Sequence, residues 1–333
     1  MAESAWLADE RGTLGPALSA CLRAAISAPS IHNSQPWLFR PHRTGVDVLV
    51  DRRRQLGVAD PDGREMHVSV GAALLNLRVA MLANGRRPLV RLLPDPHEPD
   101  LAATVIVGPA VPAPADIRTL AEAIPRRQTN RRPFWSMPIP DAVLDAVVGA
   151  ARPEGGSLVV VDPATRPAVL SLARNADRQQ RSDPRYRAEL ARWTAPGPGR
   201  SDGVPAEVFG PRPELAALPL RDFDLAHTTD RRVARFERAP TLAVLYTVGD
   251  TREDWLRAGQ ALERVLLTAT AHDLATTPLT QAVEVPQLRK LFTTPGDPRV
   301  VQSIVRLGYA GRVAQTPRRP LTDCIVAEGW YSG

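Results

Sequence analysis

The sequence predicts an α+β fold made of two related halves. Three observations carry this expectation. Two long helical patterns, 64–84 and 255–272, superpose: Gly71 falls on Gly259, Ala73 on Ala261 and Leu74 on Leu262. Short alternating apolar runs, the pattern of half-buried strands, flank both helices. The order helix, strand, long small-residue helix, strand also occurs twice. Small residues on a helix face let a second helix approach closely. The two long helices are therefore expected to pack across a pseudo-twofold, as in a symmetric dimer interface.

In chain order, Leu14–Ile26 carries a helical apolar stripe (Leu18, Leu22, Ala25, Ile26). Pro29 stops it, because the residue before proline is pushed out of the αR region. The stretch Ala28-Pro-Ser-Ile-His-Asn-Ser-Gln-Pro-Trp37 follows, a stiff polar loop pinned by two prolines. A hairpin is expected from Trp37–Pro41 and Val46–Asp51, turned at Arg43–Gly45. Asp60-Pro-Asp-Gly63 reads as a turn before the first long helix, and Gly85 as the residue that ends it. Strands are expected at 89–93 and 102–107. Gly108–Ala115 reads as a linker, so the halves divide into 1–112 and 113–333. The second half begins with a helix at 117–124 and an arginine-rich segment at 125–134. Helix 142–151, strand 158–161 and helix 164–179 come next. Residues 183–223 are rich in Pro, Gly and Arg and read as a lid-like insertion with little regular structure. A strand at 242–246, the second long helix and a strand at 300–307 complete the half.

With 333 residues, 44% hydrophobic and 23% charged, the chain can build a substantial core. No run of about 18 apolar residues stands out, so no membrane span is expected. The acidic, non-apolar Met1–Arg11 does not read as a signal peptide, and a cytoplasmic location is expected. Cys21 and Cys324 fit no metal or redox spacing, and the six histidines show no paired ligand spacing; no metal is expected. The net charge is +6 and Lys290 is the only lysine. The arginines are scattered and aromatic content is 5%, so the bias reads as G+C-rich coding rather than nucleic-acid binding. No P-loop, G-x-G-x-x-G or G-x-S-x-G motif occurs.

What remains is arginine next to rigid loops. Arg127-x-Thr129-x-Arg131 puts two guanidiniums and a hydroxyl on alternate residues, hence on one face if the segment is extended. Such a face suits a phosphate or polyol. Arg318-Arg319, held between Pro317 and Pro320, is a second rigid source of guanidinium forks.

These motifs together resemble the nitroreductase superfamily of FMN-dependent oxidoreductases, and most of all its tandem, Acg-type branch. Three strings carry the resemblance: Pro29-Ser30-Ile-His-Asn33-Ser-Gln35-Pro36-Trp37, Arg127-Gln-Thr129-Asn-Arg131-Arg-Pro-Phe134 and Pro317-Arg318-Arg319-Pro320. The first is specific; the arginine strings alone are weak. The resemblance covers nearly the whole chain apart from 183–223 and implies a nitroreductase-like fold. It implies FMN at the seam of the halves, with Arg127, Arg318 and Arg319 on the phosphate. Thr129 and Arg131 would reach the ribityl chain and pyrimidine edge. Pro29, Ser30, His32, Asn33 and Gln35 belong to the loop that lines the site from the other half. Thr280 and Gln281 lie in the segment whose backbone approaches the flavin ring. No side chain is nominated as acid or base.

The mirror site is missing. Arg152-Pro-Glu-Gly-Gly156 stands where a second loop is expected, so one FMN per chain is implied. The implied activity is electron transfer from NAD(P)H through FMN to a small acceptor such as a nitroaromatic or quinone. The alternative is a flavin-storage protein whose insertion covers the flavin through Trp193 or Phe209. A monomer is expected because the pseudo-dimer buries the family's usual interface, a homodimer being the alternative.

Overall fold

The computed structural model describes residue 6 and residues 14–326, except 196, 198, 215–217 and 294–295. Nearly all of the N-terminal stretch read above, and parts of the insertion, lie outside the described residues.

Helix α1 (Pro16–Ile26) starts with proline in its first turn, where the missing N–H costs nothing. The hairpin β1 (Trp37–His42) and β2 (Gly45–Val50) follows, then α2 (Arg64–Ala83), β3 (Arg86–Leu92) and β4 (Leu101–Ala110). The strands form one antiparallel sheet in the order β1-β2-β4-β3. Gly45 is required there: a Cβ would lie 2.0 Å from the carbonyl oxygen of Val105 on β4. The expected linker is partly strand, since β4 continues through Gly108 to Ala110. Apolar alternation fades there because these residues pair at a bulge near Pro88, at the margin of the core.

The second half runs α3 (Ala115–Ala123), α4 (Asp141–Gly149), β5 (Ser157–Val160), α5 (Arg166–Ser182) and α6 (Pro184–Thr194). Two-residue strands β6 (Arg212–Pro213) and β7 (Val233–Ala234) pair in parallel. Then come β8 (Thr241–Thr247), α7 (Arg252–Ala271) and β9 (Ala275–Pro278). Two single-turn helices, α8 (Gln281–Glu284) and α9 (Pro286–Arg289), precede β10 (Val300–Gly308). The second antiparallel sheet has the order β5-β8-β10-β9. In each sheet the second and fourth strands are central, and the 20-residue helix connects the second to the third.

Helices α2 and α7 cross at Gly71 and Gly259. A Cβ on Gly71 would sit 2.2 Å from the Leu256 carbonyl oxygen, and one on Gly259 would sit 2.0 Å from that of Val68. The contact is reciprocal in the alignment above, because Val68 and Leu256 are also a matched pair. Helix α2 is buried on nearly every side. By length and composition alone it could cross a membrane. With 83% of its apolar window buried inside the protein, it is a core helix. The capping box of α7 joins Thr251 and Asp254, while the carboxylate of Asp60 accepts the backbone N–H groups of Glu65 and Met66 at the start of α2.

The insertion holds more regular structure than its composition suggests. Helix α6 buries Tyr186 and Leu190 against Leu56 and Ala59 of the first half, with Phe209 and Phe223 in the same cluster. Its apolar face is short and framed by arginines, which hid it in the sequence. The chain after residue 320 returns to the first half, where Val326 N–H bonds to the Phe39 carbonyl at 2.9 Å.

The glycine crossing leaves no flexible atom to yield, because the opposing atoms are backbone. Gly259→Ala gains helix propensity of about 1 kcal/mol yet must push the helices apart. We expect a net loss of about 1–3 kcal/mol, read as a lower urea midpoint and melting temperature. A melting temperature equal to or above that of the parent chain would show that this contact does not set the helix spacing.

Candidate functional site

The polar loop between α1 and β1 makes one 3₁₀ turn, and His32, Asn33 and Gln35 all take positive φ (48°, 54° and 52°). Residues with side chains hold such angles only where surrounding contacts dictate them, and here they do. The Ser30 hydroxyl accepts the Gln35 N–H at 2.9 Å. Asn33 Nδ2 donates to the Gly203 and Pro317 carbonyls at 2.8 and 3.0 Å, and its Oδ1 accepts from Arg318 at 3.1 Å. Gln35 donates to the Ser201 carbonyl and accepts the Arg319 N–H at 2.8 Å. The loop is thus fastened to both the insertion and the C-terminal segment.

This loop forms one wall of a cleft. Pro29, Ser30 and His32 line it from one side, and Thr129, Arg131 and Thr280 from the other. Its floor is the helix crossing: Val68 and Ser69 from α2, Leu262 and Leu266 from α7. The segment is extended around Thr129, but Arg127, whose N–H bonds back to the Ala123 carbonyl at 2.9 Å, does not share the cleft face of Thr129 and Arg131. Thr129 bridges to Thr276 of β9, and Asn130 N–H bonds to the Thr276 carbonyl at 2.9 Å. Thr129 and Arg131 face the cleft, while Gln128 and Asn130 face a different surface depression. Arg306, wholly buried, anchors the end of this segment. It pairs with Glu237 at 2.7 Å, donates to the Arg132 carbonyl and stacks 3.5 Å from the Phe134 ring centroid.

The cleft is rich in unspent polar capacity. His32 is 6% exposed, and both ring nitrogens lack a hydrogen-bond partner. Burial, aided by the charge of Arg221, lowers its pKa to about 3, so the ring is neutral. Arg131 donates to the Val208 carbonyl at 3.2 Å and lies 4.8 Å from the Phe223 ring centroid. Burial and neighbouring Arg221 push it down to about 10. No carboxylate pairs with it among the described residues.

Two further guanidiniums, which do not line the cleft, converge on one carbonyl. Arg127 and Arg318 each point a terminal nitrogen at the Ser27 carbonyl, at 3.5 and 3.2 Å. The Nε atoms of both are buried without an acceptor. Burial, then the nearby Arg127 charge, lowers Arg318 to about 9. Between the helices lies Glu263 of α7, fully buried, with Oε1 3.6 Å from Arg127 Nε and no hydrogen bond to either oxygen. Burial raises its pKa to about 7, against the pull of Arg127.

Six expected residues do not line the cleft: Asn33, Arg127 and Arg318, whose contacts are given above, and Gln35, Arg319 and Gln281. Gln35 is fully buried and braces the loop. Arg319, expected beside Arg318, spends its guanidinium on the Gln35 and Asp323 carbonyls. Gln281 donates to the Pro219 carbonyl at 3.1 Å. The last three were nominated by adjacency in sequence, and neighbours on an irregular backbone point in different directions. Of the insertion aromatics, Phe223 lines the cleft; Phe209 stacks behind it at 6.0 Å, and Trp193 packs against Arg54 instead.

Glu65, Glu263, Arg221 and Glu284 escaped the sequence reading. Arg221 pairs with Glu284 at 2.6 Å and donates to Thr280. The two glutamates on long helices did leave a signal. Glu263 matches the apolar Leu75 in the internal alignment, and Glu65 follows Arg64 in the first turn of α2. Arg221, in irregular chain, left none.

Glu263 makes stability depend on pH. Its folded pKa of about 7 lies above the ordinary 4.5, so the unfolded chain releases its proton first. Stability falls as pH rises from about 4.5 to 7. Glu263→Gln should flatten part of that slope, being near neutral at pH 5 and stabilising by about 2–3 kcal/mol at pH 8. Urea titrations at the two pH values test this; equal effects at both would mean that the carboxyl titrates normally.

The Nitroreductase family profile matches residues 124–309, more than half the chain. A Mycobacterium tuberculosis H37Rv protein named "Putative NAD(P)H nitroreductase Rv3131" is 35% identical over 316 residues, covering 91% of this chain and 89% of its own. Another from that strain, "Putative NAD(P)H nitroreductase acg", is 32% identical over 312 residues, covering 92% and 94%. Among solved structures, the FMN- and NADPH-dependent nitroreductase NfnB of a Sphingopyxis strain aligns with 63% of this chain and 99% of its own, at 18% identity and a TM-score of 0.39. On the profile match and the near full-length identity to the mycobacterial proteins, the chain belongs to the nitroreductase family.

Proposed function

We propose that the protein is an FMN-dependent oxidoreductase that takes electrons from NAD(P)H and passes them to a small electrophile such as a nitroaromatic or quinone. One observation carries the reading. Three segments far apart in sequence come together: 29–32 and 129–131 line one cleft, and Arg127 and Arg318 converge on the Ser27 carbonyl, their Nε atoms without hydrogen-bond acceptors and Glu263 3.6 Å from Arg127. A phosphorylated, electron-poor ring system answers both needs. Arg127 and Arg318 are placed to hold a phosphate dianion, with Thr129 and Arg131 next to the polyol and ring. The neutral His32 ring has a donor and an acceptor to offer a heterocycle edge. FMN, when bound, supplies the hydride chemistry between nicotinamide and acceptor. The chain's part is to orient the ring and exclude water with the apolar floor of Val68, Leu262 and Leu266. It also keeps positive charge close to the cleft.

We infer further that the two halves take the place of two subunits. The matching strand orders and the reciprocal glycine contacts support this. A single site per chain follows from the mirror position. There Glu154 binds Arg78 of α2 and Arg264 of α7, and a Cβ on Gly156 would lie 2.7 Å from Ala261. That corner is a structural clamp.

A second reading, flavin storage with little turnover, is favoured by Phe223. The insertion presses this ring into the cleft, edge-on to His32 at 5.6 Å. Substrate needs the face it covers.

The purified protein should be yellow, and anaerobic NADPH should bleach it within seconds. Bleaching by dithionite alone would establish storage, and Phe223→Ala should then restore reduction by NADPH. Replacing Arg127 and Arg318 together by alanine should weaken FMN retention by at least about 100-fold. Undiminished flavin content in that double variant would remove the phosphate assignment.

A further inference from the structure

A cluster of buried acids and arginines borders the cleft at the start of α2. Glu65, in the first turn of that helix, lines the cleft and is 6% exposed. Arg64 donates to one of its carboxyl oxygens and also to the Gln302 and Val283 carbonyls, at 2.8 and 3.2 Å. Asp60, also buried, accepts the Glu65 backbone N–H at 3.0 Å. Glu284 of α8 is paired with Arg221 at 2.6 Å, and Arg221 lines the cleft too. The Glu65 carbonyl accepts from the Ser69 hydroxyl at 2.7 Å, and that oxygen accepts the Ile31 N–H at 3.2 Å, so this turn is tied to the polar loop.

Three carboxyls thus crowd two arginines, Arg64 and Arg221. Arg131 lines the cleft as well, but it is spent on the Val208 carbonyl and the face of Phe223. Carboxyls this close, out of water, do not all ionise at neutral pH. Glu284 stays ionised, because Arg221 outweighs its burial. Asp60 accepts two backbone N–H groups, and burial raises it only to about 6. Burial, opposed by Arg64 and reinforced by Glu284 and Asp60, holds Glu65 well above the usual carboxylate range. The proton therefore rests on Glu65, the one carboxyl of the three that lines the cleft.

Among the described residues, no other side chain lining the cleft can give up a proton at neutral pH. Hydroxyls are too weak as acids, Arg131 and Arg221 hold theirs, and the His32 imidazolium is not populated. We propose that Glu65 is a catalytic residue of this cleft, handing the acceptor the proton that accompanies hydride transfer; this rests on the flavin reading above. The balance requires one such proton. A quinone that takes a hydride (two electrons and one proton) from the reduced flavin needs one more proton to become a hydroquinone. A nitro group that takes the same hydride and proton becomes a nitroso group and water. The O–H bond of Glu65 breaks and a new O–H bond forms on the acceptor. The carboxylate left behind stays paired with Arg64 until water reprotonates it. Reduction of the flavin by NAD(P)H needs no such donor, since a hydride alone passes.

Glu65→Gln keeps the shape of the side chain and an acceptor for Arg64 but carries no acid proton. Two measurements on the full-length, flavin-loaded protein test the proposal. Infrared spectra of the parent chain should show a protonated-carboxyl band that fades as pH rises through neutrality and is missing from the variant. Identical bands in both would overturn the proposal. In stopped flow, reoxidation of the reduced protein by a quinone should be slower in the variant by about 100-fold or more. In the parent it should slow as pH rises, since the donor must be protonated, and Glu65→Asp should recover part of the rate lost in Glu65→Gln. Reduction by NADPH, and reoxidation by ferricyanide, which takes an electron and no proton, should stay close to the parent values. A variant slowed equally with ferricyanide and quinone marks Glu65 as structural, and an unchanged quinone rate removes its role; either outcome overturns the proposal. If NADPH does not reduce the parent protein, the reductase reading fails on its own, and dithionite-reduced protein carries the same quinone and ferricyanide comparison. A chain that takes up no FMN removes the reading and this proposal together, whatever the infrared band shows.

Discussion

Everything in this protein is arranged around the crossing of α2 and α7. Helix backbones reach this separation only where no Cβ intervenes, and Gly71 and Gly259 supply that at facing positions. The two sheets sit on opposite sides of the pair, each tied to it through its own apolar core. Because the helices pass so closely, side chains one or two turns from the crossing must diverge. The cleft floor of Val68, Ser69, Leu262 and Leu266 lies at and next to the crossing. One packing constraint therefore joins the halves and opens the site.

The polar machinery above this floor is braced before any ligand arrives. Three residues at positive φ hold the 29–35 turn, and the side chains of two of them, Asn33 and Gln35, are spent on the insertion and the C-terminal segment. Arg319 belongs to this bracing, and Arg318 reaches past it toward Arg127. The two adjacent arginines point in different directions: Arg319 bonds the Gln35 and Asp323 carbonyls, and Arg318 bonds Asn33, Thr316 and the Ser27 carbonyl. Burial explains why the site is poised: in low dielectric, an unpaired guanidinium or neutral imidazole gains much from a matching partner. Glu263 sits in the same environment and answers by holding its proton to about pH 7.

The insertion is part of the site's architecture. Its Tyr186, Leu190, Phe209 and Phe223 make a small core with Leu56 and Ala59 of the first half. Its Arg221 and the paired Glu284 link it to the segment after β9. Any movement that uncovers Phe223 must loosen that core, which is smaller and more polar at its margins than the two main ones. Regions with few buried apolar contacts open at lower free energy than a main core, so access to the cleft and the packing of the insertion are coupled.

Much of this was legible in the sequence. Periodicity placed the two long helices, the hairpin and most strands, because those elements bury one regular face and the pattern is local. The glycine match predicted the helix crossing, since only close approach demands glycine at facing positions. The strings at 29–37, 127–134 and 317–320 were expected to meet, and they do: Asn33 bonds Arg318 and the Pro317 carbonyl, and Arg127 and Arg318 reach the same Ser27 carbonyl. What the sequence did not determine was direction. Gln35, Gln281 and Arg319 look like their neighbours on paper, yet an irregular backbone turns them into the protein. Helix α6 and the roles of Arg221, Glu284 and Glu263 also waited for the fold. Their positions follow from contacts between residues tens to more than a hundred apart, and burial, which sets a charged group's partner and its pKa, is a property of the assembled chain alone.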